Sequence, residues 1–182
     1  NFARAYSRLA TMYALLANTS DESLKSLLDK VAINAQKASA IDPDLAEPYA
    51  ALGLARSWLP GEMVEQSQLY ERALALDGDD VTTNFWYGLT MIRRGYLERG
   101  VALIERALEK DPMLPNALRW RGIMYFYAGD TAKAEQLLNQ SRDLGLAYAE
   151  RNLADIANAR GDKSAAIRMF VNGSASVLPD MP

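Results

Sequence analysis

Apolar residues recur at helical spacing along most of the chain. Tyr6-x2-Leu9-Ala10-x2-Tyr13 sets large, large, small and aromatic residues on one face of a first helix. A polar break, Asn18-Thr19-Ser20, follows, and Thr19-x-x-Glu22 reads as a capping box for the next helix. That helix carries Leu24, Leu27, Leu28, Val31, Ala35 and Ala38, and stops at Asp42-Pro43 because proline disfavours helical geometry in the residue before it. Pro48-Tyr49-x2-Leu52-Gly53 opens another helix. Trp58-Leu59-Pro60-Gly61 breaks it in a turn expected to protrude, and the chain resumes with Gln66-x3-Tyr70-x2-Ala73. Further helices are expected from about Val81 to Arg94, with Asp79 or Asp80 as N-cap, from about Leu97 to Lys110, and from Thr131 to Arg142 behind Asp130. Gly173 is expected to end the last helix, leaving Ser174–Pro179 as a tail without helical period.

The helical pattern is itself periodic. Ala73 and Ala107, Leu74 and Leu108, Asp77 and Asp111, Gly88 and Gly122, and Gly95 and Gly129 each lie 34 residues apart. Gly53 to Gly88 is 35, which places one extra residue in the Trp58–Gly61 turn. Gly129 to Gly161 and Ala134 to Ala166 are both 32, which shortens the loop around Gly145. A step of 34, with the phrase large-x2-Leu-small-x2-aromatic, resembles the tetratricopeptide repeat (TPR), a stacked helix–turn–helix unit. The resemblance implies an all-α fold, a right-handed α-solenoid of about five units in one array, approximately residues 1–45, 46–80, 81–114, 115–146 and 147–182. The small residue of each phrase is needed where the second helix of the unit crosses closely. Arg121 departs from the family's apolar choice. No polar capping helix follows the last unit, so Ile167 and Phe170 are candidates for contact with the tail, a second copy or residues outside this chain.

Composition narrows the chemistry. Hydrophobic residues make up 49% and charged residues 24% of 182 positions, enough for a packed interior. The net charge is −3 with Lys and Arg scattered, so there is no electrostatic footprint for nucleic acid. Without cysteine or histidine there are no disulfides, thiolate or imidazole metal ligands, or the usual general base. Asp77-Gly78-Asp79-Asp80 lacks the glycine and terminal glutamate that a calcium loop needs and reads as helix capping. No phosphate-cradling glycine motif and no nucleophile with a base and an orienting group is found, so neither enzyme activity nor a cofactor is expected. No uncharged run is longer than Leu9 to Ser20, which is too short and polar to insert in a membrane, since a span takes roughly 20 residues. The chain opens at Asn1 with neither an initiator Met nor a leader, as expected of a piece of a longer protein. Composition leaves the compartment open, the cytoplasm slightly favoured over the periplasm.

In TPR proteins the first helices line a groove that takes a partner. Carried over unit by unit, the positions off the buried stripe give a candidate groove of Leu54, Trp58, Phe85, Leu89, Ile92, Arg119, Ile123, Phe126, Tyr148 and Arg151. Its centre is apolar and its later part carries two arginines. The earlier places, Arg4, Ser7, Thr11, Glu47 and Ala50, lack the basic and amide ring that grips a terminal carboxylate in some TPRs. An amphipathic helix or extended apolar segment with a carboxylate is the expected ligand. The reading is a non-enzymatic scaffold for a protein or peptide, such as the sensory or regulatory C-terminal module of a bacterial regulator. The alternative is a substrate-presenting accessory region of a larger enzyme, such as a glycosyltransferase or nucleotide cyclase. A homodimer through the groove or through the uncapped last repeat carries equal weight with an external partner.

Overall fold

The structure, a computed structural model, describes residues 2–17 and 20–175. They form ten helices and no strand: α1 (Phe2–Leu16), α2 (Leu24–Ile41), α3 (Glu47–Arg56), α4 (Met63–Leu76), α5 (Val81–Arg93), α6 (Leu97–Lys110), α7 (Pro115–Tyr127), α8 (Thr131–Asp143), α9 (Tyr148–Ala159) and α10 (Lys163–Ala175). The polar break at Asn18-Thr19 and the tail from Ser176 lie outside the described residues. The chain divides into two compact units, Asn1–Ala107 and Leu108–Pro182, the division falling inside α6.

Punctuation in the sequence explains most boundaries. Asp80 caps α5, its carboxylate accepting from the Thr83 N–H at 2.6 Å, and Asp130 caps α8 through the Lys133 N–H at 3.0 Å. Asp79 serves elsewhere, 3.0 Å from the Arg106 guanidinium. The cap of α2 is Ser23, whose hydroxyl accepts from the Ser26 N–H at 3.3 Å. Glu22 instead accepts from Ser26 Oγ and Lys30. After α5, α7, α8 and α9 the same joint recurs. Gly95, Gly129, Gly145 and Gly161 sit at φ between +86° and +92°, and the next residue's N–H reaches back five positions, as from Tyr96 to the Met91 carbonyl. Gly173 breaks this rule. It lies inside α10, where an added Cβ would come within 2.9 Å of Glu150 Cβ, so its smallness serves close packing on α9 and not termination.

In the N-terminal unit successive helices pack as pairs, α1 on α2 and α3 on α4, with α3 also against α1, α2 and α5. Small residues permit the close approach: Ala10, Ala14, Ala35, Ala51 and Ala55 surround Val31 and Leu54. Tyr70 and Tyr87 stack at 5.2 Å beside Met91. Where α5 crosses α6, Gly88 and Gly100 face each other so closely that a Cβ on either would meet the other's carbonyl oxygen at 2.8 or 2.7 Å. The C-terminal unit repeats the scheme with α7 on α8, α8 on α9, α9 on α10 and α7 on α9. Its core joins Ala134 and Leu138 of α8 to Leu153 and Ile156 of α9, with Tyr125, Phe126 and Met169 packed around them. Arg121 is half-buried and accommodated by Tyr125, with its guanidinium 4.2 Å from the ring centroid and 3.1 Å from the hydroxyl.

Candidate partner-binding face

The N-terminal unit places its five candidate residues in or against the interior. Leu54, Phe85 and Leu89 are only 3–4% exposed, and Leu54 belongs to the alanine-lined core. Phe85 meets Trp86 edge-on at 4.9 Å. Ile92 turns toward α6, where its Cγ1 would lie 2.6 Å from a Cβ on Gly100. Trp58 folds back from the turn after α3, and its indole N–H donates to the Ala14 carbonyl at 2.8 Å. Pro60 and Gly61 are the exposed part of that turn.

The C-terminal unit brings its five together on α7 and α9. Arg119 of α7 is half-buried, and its Nε donates to Asn152 Oδ1 of α9 at 2.7 Å. Its guanidinium lies 5.3 Å from the Trp120 ring and 5.8 Å from the Tyr148 ring. Burial holds the Arg119 pKa below the ordinary arginine range, opposed by Tyr148 and assisted by the like charge of Arg151. No carboxylate pairs with Arg119 among the described residues. Arg151 is exposed, over the Phe170 ring at 5.1 Å. One and two turns along α7 from Arg119, Ile123 and Phe126 line a cleft of about 50 Å³ with Asn152 and Asp155.

Asn152 is absent from the candidate set read from the sequence, yet it fixes the arginine. The signal was its separation of 33 residues from Arg119, close to one repeat, which sets a donor and an acceptor on consecutive first helices. Among the described residues no cluster of three or more Asp or Glu is arranged to hold a metal ion, and no helix is long and apolar enough to cross a membrane.

The chain matches no family model, and no curated protein matches it. Solved structures do. PilF of Pseudomonas aeruginosa is 20% identical, with a TM-score of 0.72 over 97% of this chain and 80% of that one. PilW, described as a widely conserved type IV pilus biogenesis factor, is 21% identical with a TM-score of 0.64 over 98% and 77%. MamA of Desulfovibrio magneticus RS-1 is 12% identical with a TM-score of 0.65 over 100% and 98%. All three are TPR proteins, and at these identities the likeness is one of fold. The fold is a tetratricopeptide-repeat solenoid. In TPR terms α7 and α9 are the first helices of consecutive repeats, and Arg119, Asn152 and Tyr148 lie on them.

Proposed function

We propose that this TPR chain is a non-enzymatic protein-interaction module, and that the α7–α9 face of its C-terminal unit holds a peptide segment carrying a carboxylate next to apolar side chains. A single observation carries the reading: Arg119 is partly withdrawn from water, oriented by Asn152 and two aromatic rings, and lacks a carboxylate among the described residues. Withdrawing a guanidinium from water is costly unless an anion meets it, and an incoming carboxylate offsets that cost with charge-assisted hydrogen bonds. Ile123 and Phe126 give the neighbouring residues of the segment an apolar surface. Within a larger protein such a unit would act as a sensory or regulatory module.

The test uses a fluorescein-labelled peptide of leucines and alanines around one glutamate, and its glutamine counterpart, in polarisation titrations against the full chain. The glutamate peptide should bind at least tenfold more tightly than the glutamine peptide, and Arg119→Gln should erase the difference while leaving helicity unchanged. Equal binding of both peptides, or an unaltered preference in Arg119→Gln, would overturn the reading.

A further inference from the structure

A cleft of about 240 Å³ lies within the N-terminal unit, among the last turn of α3, the first turn of α4 and the last turn of α5. Three guanidinium groups line it, from Arg56, Arg93 and Arg94, against one carboxylate, Glu62. The repeat does not demand the pair Arg93-Arg94, since thirty-four residues on the same places hold Tyr127-Ala128. Arg94 is half-buried and donates to three neutral acceptors: Ser67 Oγ at 2.6 Å, Gln66 Oε1 at 2.7 Å and the Met63 carbonyl at 2.8 Å. Arg93 is exposed, and neither of the two has a carboxylate partner among the described residues. Arg56 does, its Nη2 donating to Glu65 at 2.8 Å, with Glu62 3.9 Å from its Nε.

The polar atoms around this cleft are not all satisfied. Among the described residues three buried side-chain atoms have no hydrogen-bond partner: Arg56 Nε, the Tyr70 hydroxyl and Asn84 Oδ1. The first two border the cleft. Arg56 lines it, and the hydroxyl of Tyr70, a side chain 0% exposed, lies beside Thr90 of the wall. Gln66 is on the wall as well and only 5% exposed; because its Oε1 accepts from Arg94, its amide nitrogen still has hydrogens to donate. Buried polar atoms without partners are rare, because each costs a desolvation that nothing offsets. Here they gather where two cations lack an anion.

We propose that this cleft is a ligand site that holds the phosphoryl group of a small soluble phosphate monoester against Arg93, Arg94 and the Gln66 amide nitrogen. Arginine suits that ligand because its planar fork of donors meets two oxygens at once, and a phosphoryl group brings more charge and more acceptors than a carboxylate. Arg94 is already held by Ser67, Gln66 and Met63, so little side-chain freedom is lost when the anion arrives. Of the nearby carboxylates, Glu65 accepts from Arg56 and Glu62 lies against the same guanidinium, so both charges are met before the ligand enters. Leu59 and Met63 on the wall give the carbon chain of the ester an apolar surface, which favours a monoester over free phosphate. This proposal is independent of the peptide site on α7 and α9.

Isothermal titration calorimetry of the full chain with glycerol 3-phosphate, inorganic phosphate and acetate, all at one ionic strength, reads the outcome. Glycerol 3-phosphate should bind one-to-one, inorganic phosphate more weakly, and acetate more weakly still. Arg93→Gln should weaken glycerol 3-phosphate by about tenfold or more, the loss of one hydrogen bond to a charged group, with helicity unchanged. Arg93→Lys should recover part of that loss, and Arg119→Gln should bind as the wild type does. In heteronuclear NMR the Gln66 side-chain amide signal should shift during the titration, which places the ligand in the cleft. No saturable binding of either phosphate compound, an affinity unchanged in Arg93→Gln, or equal binding of acetate would overturn the proposal. Inorganic phosphate binding as tightly as the ester would overturn the choice of a monoester and make free phosphate the ligand.

Discussion

The indole N–H of Trp58 donates to the carbonyl of Ala14 at 2.8 Å, across 44 residues of sequence. Ala14 lies in the last turn of α1, where carbonyls have no partner within the helix. The bond therefore satisfies a buried acceptor and fastens the turn after α3 to the first helix. Trp58→Phe keeps most of the ring's packing and removes the donor, and should cost about 1–3 kcal/mol of unfolding free energy, the range for a stranded buried acceptor. Urea unfolding followed by circular dichroism checks it.

Gly88 and Gly100 set the closest crossing in the N-terminal unit. A methyl group on Gly88 would sit 2.8 Å from the Gly100 carbonyl oxygen and 2.9 Å from Ile104 Cγ1, and backbone gives way less readily than a flexible side chain. Gly88→Ala should therefore destabilise by about 1–3 kcal/mol despite the better helix propensity of alanine, as overpacking does. A melting temperature equal to or above the wild type would contradict the crossing described.

Two neighbouring aspartates should respond differently to truncation. Asp80 caps α5 through the Thr83 N–H and also accepts from the Thr83 hydroxyl, whereas Asp79 forms a surface ion pair with Arg106. Asp80→Ala should cost about 1 kcal/mol, typical of a lost N-cap. Asp79→Ala should cost less, within the range of about 0–1 kcal/mol for exposed ion pairs. Parallel thermal melts compare them.

Lys30 lies 2.6 Å from the Glu22 carboxylate, which also accepts from Ser26 Oγ. Lys30 and Ser26 hold the Glu22 pKa below the ordinary glutamate value, and Glu22 raises that of Lys30 above the ordinary lysine value. Glu22 contributes stability above the ordinary glutamate pKa and loses it as pH falls through its lowered folded value. Lys30 contributes below the ordinary lysine pKa and loses it as pH rises through its raised folded value. The stability difference between wild type and Lys30→Met should thus form a small plateau around neutral pH, shrink toward both extremes, and diminish in high salt. Carboxyl NMR titration should show Glu22 moving up toward the ordinary range in Lys30→Met.

The sequence carries the fold more fully than the site, for a physical reason. Helix α6 begins and ends at its expected residues because Gly95 and Asp111-Pro112 act locally on their own backbone. Local chemistry misleads at Gly173, where the constraint comes from Glu150 on a neighbouring helix. Burial of Leu54, Phe85 and Leu89 is likewise a property of what surrounds each helix, which spacing along a single helix does not encode. Arg119 was visible as a charge in an apolar row, but its partner Asn152 became apparent only once consecutive first helices lay side by side.

The joints after α5, α7, α8 and α9 share one backbone geometry, a glycine in the left-handed region with an N–H reaching back five residues. None of that geometry is written in the outward-facing side chains of the first helices. A substitution on those surfaces therefore leaves each hinge its angle, and the path of the backbone from helix to helix is set by residues other than the ones those surfaces present.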